Sequence, residues 1–170
     1  MDHYEFEKYV TNKEALKSTL EKYGVAIIPN VLDNNECGNM VGGLWDYFEH
    51  ISQSWSVPIS RDKVFSYRQI YKLYPLHSML FQYFNIGHTQ VSWNVRQNPK
   101  IVDIFQHFWN EKELLVSFDG LSFNMPPEKT NRGWYRGNTW YHTDQSYTRP
   151  DFECVQSWAT GLDVNKGDAT

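Results

Sequence analysis

His142 and Asp144 stand in the run "NTWYHTDQSY", residues 138–147, two metal-capable side chains inside an aromatic stretch that otherwise reads as a buried strand. Burying an imidazole or a carboxylate without a partner is costly, so the pair calls for a chemical reason. In an extended strand, residues i and i+2 share a face and lie roughly 6.5–7 Å apart along the chain. If both side chains lean inward, they meet on one ion at bond lengths of about 2.0–2.2 Å. One imidazole and one carboxylate are two of the three ligands in a 2-His-1-carboxylate facial triad, which leaves open positions on Fe(II) for substrate and oxygen. The competing reading is a strand-end histidine hydrogen-bonded to the neighbouring carboxylate, and spacing alone leaves both readings open.

The other histidines carry less. His50 and His107 fall on expected helices, His77 and His88 in or near loops, and His3 near the start, where solvated or hydrogen-bonded imidazoles are the rule. Arg132 and Arg136, in the loop before the His-x-Asp strand, are in reach of an anionic ligand, although loop arginines are mostly just solvated. The sequence contains no Gly-rich phosphate loop, no Gly-x-Ser-x-Gly elbow, no His-Glu-x-x-His and no Cys-x-x-Cys.

The elements that must position the pair are bounded by composition. A chain of 170 residues suits one well-packed domain rather than two. Aromatic residues make up 16 %, with seven Trp, at a mean hydropathy of -0.61. That is a globular profile, neither disordered nor membranous. The net charge of -4 gives no basic footprint for nucleic acid or anionic lipid. Neither a secretory signal nor an 18-residue apolar run is found, and Cys37 and Cys154 read as buried free thiols, so an intracellular, cytoplasmic and reduced setting is expected.

Along the chain, Thr11 and Glu14 form a capping-box pattern ahead of a first helix that stops at Gly24, and "VAIIP" follows as a short strand. Asp33 and Glu36 repeat the capping signal, and Cys37, Met40, Val41, Leu44, Trp45, Phe48 and Ile51 then mark one helical face. Gly42 and Gly43 weaken that helix by about 1 kcal/mol each relative to Ala unless another element packs closely there. The aromatic middle of the chain is mostly helical in pattern, and Ile101, Val102, Phe105, Phe108 and Trp109 define a further apolar face. Strands are expected in "ELLVSFDGLSFNM", with a turn at Asp119-Gly120, in "TWYHTDQSY" and in "FECVQSWATGLDV". Helices come first and strands last, an α+β arrangement with helices on one face of a sheet system.

The run "FDGLSFNMPPEK", a variable loop, and "WYHTDQSYTRPDFECVQSWATGLDV" resemble the phytanoyl-CoA dioxygenase family of Fe(II)- and 2-oxoglutarate-dependent oxygenases; "KYGVAIIPNVLDNNEC" and "WNVRQNPKIVDIFQHFW" resemble its earlier segments. The resemblance covers most of the chain from about Glu21 onward. It implies a double-stranded β-helix, a cupin-like jelly roll whose larger sheet is buttressed by N-terminal helices. Residues 1–112 would be the mainly helical part and 113–170 the first jelly-roll strands of a single domain. By position, His142 and Asp144 match two metal ligands, Trp158 a tryptophan lining the 2-oxoglutarate pocket, and Asn124 a polar residue facing the cosubstrate. Gln145 matches the glutamine after the aspartate, with its role open.

Two departures qualify the likeness. Met125 stands where some members have a lysine for the cosubstrate carboxylate. No histidine follows Asp144 and no arginine follows Arg149, whereas the family takes its second metal histidine and its cosubstrate arginine from later strands. The C-terminal half of the jelly roll is thus expected to be missing from this chain. In order of preference, the chain is a fragment of a longer oxygenase, is completed by another polypeptide, or is a degenerate member kept for packing. The implied activity is a dioxygenase (hydroxylase) acting on a small organic substrate, with these 170 residues alone inactive. The alternative is a non-catalytic jelly-roll module for binding or assembly.

Overall fold

The computed structural model describes residues 6–73, 80–82, 84–123, 142 and 144–164. Its first helix, α1, runs Leu16–Tyr23 and ends on Gly24, whose φ of 72° is the left-handed stop expected there. Its start is a correction. Thr11 and Glu14 do not form the expected capping box: Asn12 Oδ1 accepts the Ala15 N–H at 2.9 Å, and the N-cap is Ala15. Thr11 is engaged elsewhere, its N–H donating to the Ile27 carbonyl at 2.8 Å. The "VAIIP" strand shrinks to that neighbourhood, a single parallel bridge between Val10 and Ile27.

Helix α2, Asn34–Ile51, starts where the sequence says, with Asp33 and Glu36 making both halves of a capping box. Its stripe buries Leu44 and Phe48, the latter with 0 % exposure, against Ile59, Ile70, Leu73, Phe81 and Ile86. Full burial of a phenylalanine stabilises by about 1.5–3 kcal/mol. Phe48 also meets Phe81 and Phe123 edge-on at ring-centroid separations of 5.4 and 5.0 Å. Gly43 shows why α2 tolerates a glycine pair: a Cβ there would lie 3.1 Å from Val91 Cβ, whereas one at Gly42 would meet nothing within 4 Å. The close neighbour is α3, Gln90–Arg96, capped by Thr89.

Two buried serines pin the chain as it leaves α2. Ser52 Oγ donates to the Phe48 carbonyl and accepts the Ile59 N–H; Ser66 Oγ, in a 3₁₀ helix over Val64–Leu73, accepts the N–H of the next residue, Ser60. Arg61 then ties the turn back to α2 through Glu49, at 2.9 Å, and through Asp46. Helix α4, Pro99–Trp109, has Asn98 as N-cap and proline in its first turn. Asn98 also donates to Glu36 Oε1 at 2.8 Å, and Lys100 reaches Glu36 and Asp33 at 2.6 and 3.1 Å. The starts of α2 and α4 thereby share two carboxylates, which suits the positive end of both helices. Hydrogen bonding from the Glu36 N–H first, then Lys100, holds Asp33 below the usual carboxylate range, and Lys100 does the same for Glu36.

Among the described residues the sheet is a two-stranded antiparallel ladder, β1 (Leu80–Phe81) with β2 (Leu121–Ser122). Of the expected strands, "FECVQSWATGLDV" joins no ladder and the described part of "ELLVSFDGLSFNM" pairs only at Leu121–Ser122, while residues 124–125, 139–141 and 143 of the expected strands lie outside the described residues. Residues 114–120, 142 and 144–164 join no ladder. Gly120 is the point where the β1 backbone passes, since a Cβ on it would sit 1.8 Å from the Phe81 carbonyl oxygen. The last stretch lies against the helices instead. Phe152 stacks on Phe108 and Trp109 of α4, at 5.9 and 5.4 Å, and Gly161 touches Met40 and Val41 of α2 so closely that a Cβ would approach them within 2.8–2.9 Å.

Candidate functional site

The His142 imidazole and the Asp144 carboxylate face one another, Nε2 to Oδ1 at 3.2 Å, with side chains 41 % and 52 % exposed. The two groups meet, but neither residue lies on a strand among the described residues, so the shared-face argument from i, i+2 spacing is not what brings them together. The donor set suits a divalent cation. Two ligand atoms about 2.1 Å from one ion and about 90–109° apart stand roughly 3.0–3.4 Å from each other. The observed separation falls in that range, and it also falls within reach of a direct hydrogen bond. No group of three His, Cys, Asp or Glu side chains arranged for a metal occurs among the described residues.

Asp144 lines a cleft of about 280 Å³ together with Gln145, Ser146, Arg149, Glu153 and Cys154. The wall is wound around one side chain. Gln145 Nε2 donates to the carbonyls of Arg149 and Asp151, while its Oε1 accepts the Glu153 N–H and the Cys154 thiol, both at 3.4 Å. Arg149 and Glu153 pair across the rim, and the Arg149 N–H returns to the Ser146 carbonyl at 2.9 Å. Sequence reasoning left the role of Gln145 open. The signal available was the Gln itself, a neutral planar amide with two donors and two acceptors, directly after a candidate ligand.

Of the remaining expected residues, Trp158 stands 62 % exposed on the same C-terminal stretch. Asn124, Met125, Arg132 and Arg136 lie outside the described residues. His50 and His107 are exposed on α2 and α4, and His88 packs its ring 5.1 Å from that of Phe118. Both cysteines are free as expected, but Cys154 is exposed and Cys37 only half-buried, a correction to the buried thiols read from their apolar surroundings. No helix among the described residues is long and apolar enough to cross a membrane.

No known protein family matches the chain, and no solved structure does. A curated relative from Aspergillus versicolor, described as "Ava biosynthesis cluster protein O", is 32 % identical over 74 residues, 44 % of this chain. That stretch spans 23 % of the relative's length. The chain is thus similar, over less than half of itself, to a part of a biosynthesis-cluster protein.

Proposed function

We propose that this chain is part of an Fe(II)- and 2-oxoglutarate-dependent oxygenase of the phytanoyl-CoA dioxygenase type, built on a jelly roll, and that His142 and Asp144 are two of its metal ligands. The observation that carries the reading is the 3.2 Å convergence of an imidazole nitrogen and a carboxylate oxygen beside a cleft. When bound, the metal and its cosubstrate supply the oxidising power for hydroxylating a substrate carbon. The chain's own part is to hold two donors on one side, leaving the rest of the coordination sphere free, and to shape the adjoining cleft. Trp158 and Asn124 are proposed cosubstrate contacts. The second imidazole and the arginine for the cosubstrate's distal carboxylate are proposed to come from further polypeptide, of the same protein or of another chain.

The substrate is proposed to be a small organic molecule, in a cytoplasmic setting. The relative's biosynthesis-cluster description supports that class without naming a compound. An anaerobic Fe(II) titration tests the metal site. His142→Ala and Asp144→Ala are each expected to weaken iron binding relative to the parent, and unchanged affinity in both removes the proposal. The 3.2 Å contact also supports a second reading, in which the pair is a structural hydrogen bond in a non-catalytic binding or assembly module. That reading expects unchanged iron affinity together with a loss of stability in His142→Ala.

A further inference from the structure

We infer that Gln145 is the positioning residue of this site: its carboxamide closes residues 145–154 into a ring and thereby fixes the backbone that presents Asp144 to His142. The inference rests on the metal-site reading above and adds to it a support for the carboxylate. An isolated surface loop keeps many conformations, and closing one costs entropy that grows with its length. Here a single side chain meets that cost through four contacts spread over Arg149, Asp151, Glu153 and Cys154. Both amide hydrogens go to main-chain carbonyls, and the amide oxygen takes a main-chain N–H and a thiol. The chemistry discriminates among replacements. Glutamate has the same length but would turn a carboxylate oxygen toward the Arg149 and Asp151 carbonyls, asparagine is one methylene shorter, and methionine has the shape without the hydrogen bonds.

The ring begins at the residue bonded to Asp144, so the amide acts on the site through the backbone. The ring is also held from outside, where Phe152 rests on Phe108 and Trp109. A fixed ring at that one contact leaves Asp144 little freedom to swing away from His142. Groups that hydrogen-bond a metal ligand directly typically change affinity about 10–100-fold when removed; Gln145 acts one peptide unit further out, so its loss should fall at the low end of that range.

The test uses the full chain and Co(II) as an oxygen-stable probe, followed by paramagnetic broadening of the His142 ring resonances, assigned with His142→Ala. In the parent, Co(II) is expected to broaden that ring ahead of the other histidines. Gln145→Met and Gln145→Glu are expected to raise the Co(II) concentration needed for half-broadening by about tenfold, with the amide spectrum of the helical core unchanged. Tyr147→Ala removes a side chain that is 94 % exposed on the same loop and takes no part in the Gln145 ring, so it should bind Co(II) no more weakly than the parent. Parent-like broadening in both Gln145 variants overturns the positioning role while leaving the metal site standing. Equal weakening in Tyr147→Ala also overturns it, because the loop rather than the amide would then be responsible. Absence of selective broadening in the parent overturns the metal reading and this inference with it.

Discussion

Substituting Ser52 by alanine removes one oxygen atom and should cost far more than its size implies. The Ser52 hydroxyl is fully buried, donating to Phe48 O at 2.8 Å and accepting the Ile59 N–H at 2.9 Å. The Phe48 carbonyl keeps a second donor, the Ser52 N–H at 3.3 Å, so its loss is small. The Ile59 N–H has no such reserve: Ile59 is 2 % exposed, and a buried donor left unpaired costs about 1–3 kcal/mol. At a urea slope of about 2 kcal/mol/M, the midpoint should fall by roughly 0.5–1.5 M with the slope unchanged. Ser66→Ala orphans the adjacent Ser60 N–H and should act in the same direction but less, because Ser60 is half-buried. Once one anchor is gone, the 59–60 link is freer to turn its second amide to water, so the double variant should lose less than the two singles added together. Ser18→Ala is the control, because its hydroxyl bonds Ala15 O on an exposed face of α1 and such changes stay within about 0.5 kcal/mol. If Ser52→Ala costs no more than Ser18→Ala in urea denaturation followed by far-UV ellipticity, the buried-anchor reasoning is wrong.

Gly42→Ala should stabilise α2 by about 0.5–1 kcal/mol, because the new methyl meets nothing within 4 Å; Gly43→Ala should gain less or lose, since its methyl presses on Val91, and thermal midpoints of the two variants check the order. Burial pushes the Tyr47 hydroxyl up to about 12 while it donates to the Phe84 carbonyl at 2.6 Å. Unfolded tyrosine ionises near 10, so the stability from Tyr47 is whole below about pH 10 and drains away as pH rises toward about 12. Urea midpoints between those values should fall in the parent and fall less in Tyr47→Phe. A parent curve that is flat there contradicts the assignment. The iron titration of the His142 and Asp144 variants and the Co(II) broadening of the Gln145 variants complete the set.

What the sequence made legible was local. The Asp33–Glu36 box and the Gly24 stop depend on residues a few positions apart, and both formed as read. The Thr11–Glu14 box looked the same on paper, yet the Thr11 N–H went to Ile27, a partner 16 positions away, and Asn12 supplied a competing turn. The glycine pair shows the same division: periodicity located it, but only the path of α3 decides that Gly43 and not Gly42 is crowded. Strand pairing is non-local throughout, so "FDGLSF" revealed apolar alternation while the two-residue ladder with β1 was not readable from it. At the site, His142 and Asp144 do meet, but not on the strand from which their spacing was read, since neither residue lies on one. The ring around Gln145 depends on where the chain goes at Arg149 and Asp151, which no pattern in the sequence announces.

Among the described residues every buried hydrophobic side chain lies between Leu44 and Phe108, and the stretch carrying Asp144 meets that interior at its edge, where Phe152 packs on Phe108. Lifting it away would sacrifice the Phe152 contact, uncovering Phe108, and the Gly161 seat, but leave the Leu44–Ile86 cluster whole, which makes partial opening cheaper than global denaturation. Any molecule that grips the closed arrangement must then also supply the work of keeping it shut, and its apparent affinity is reduced by the fraction of time the stretch is open. Occupancy would act as a latch, with the helices as its fixed frame.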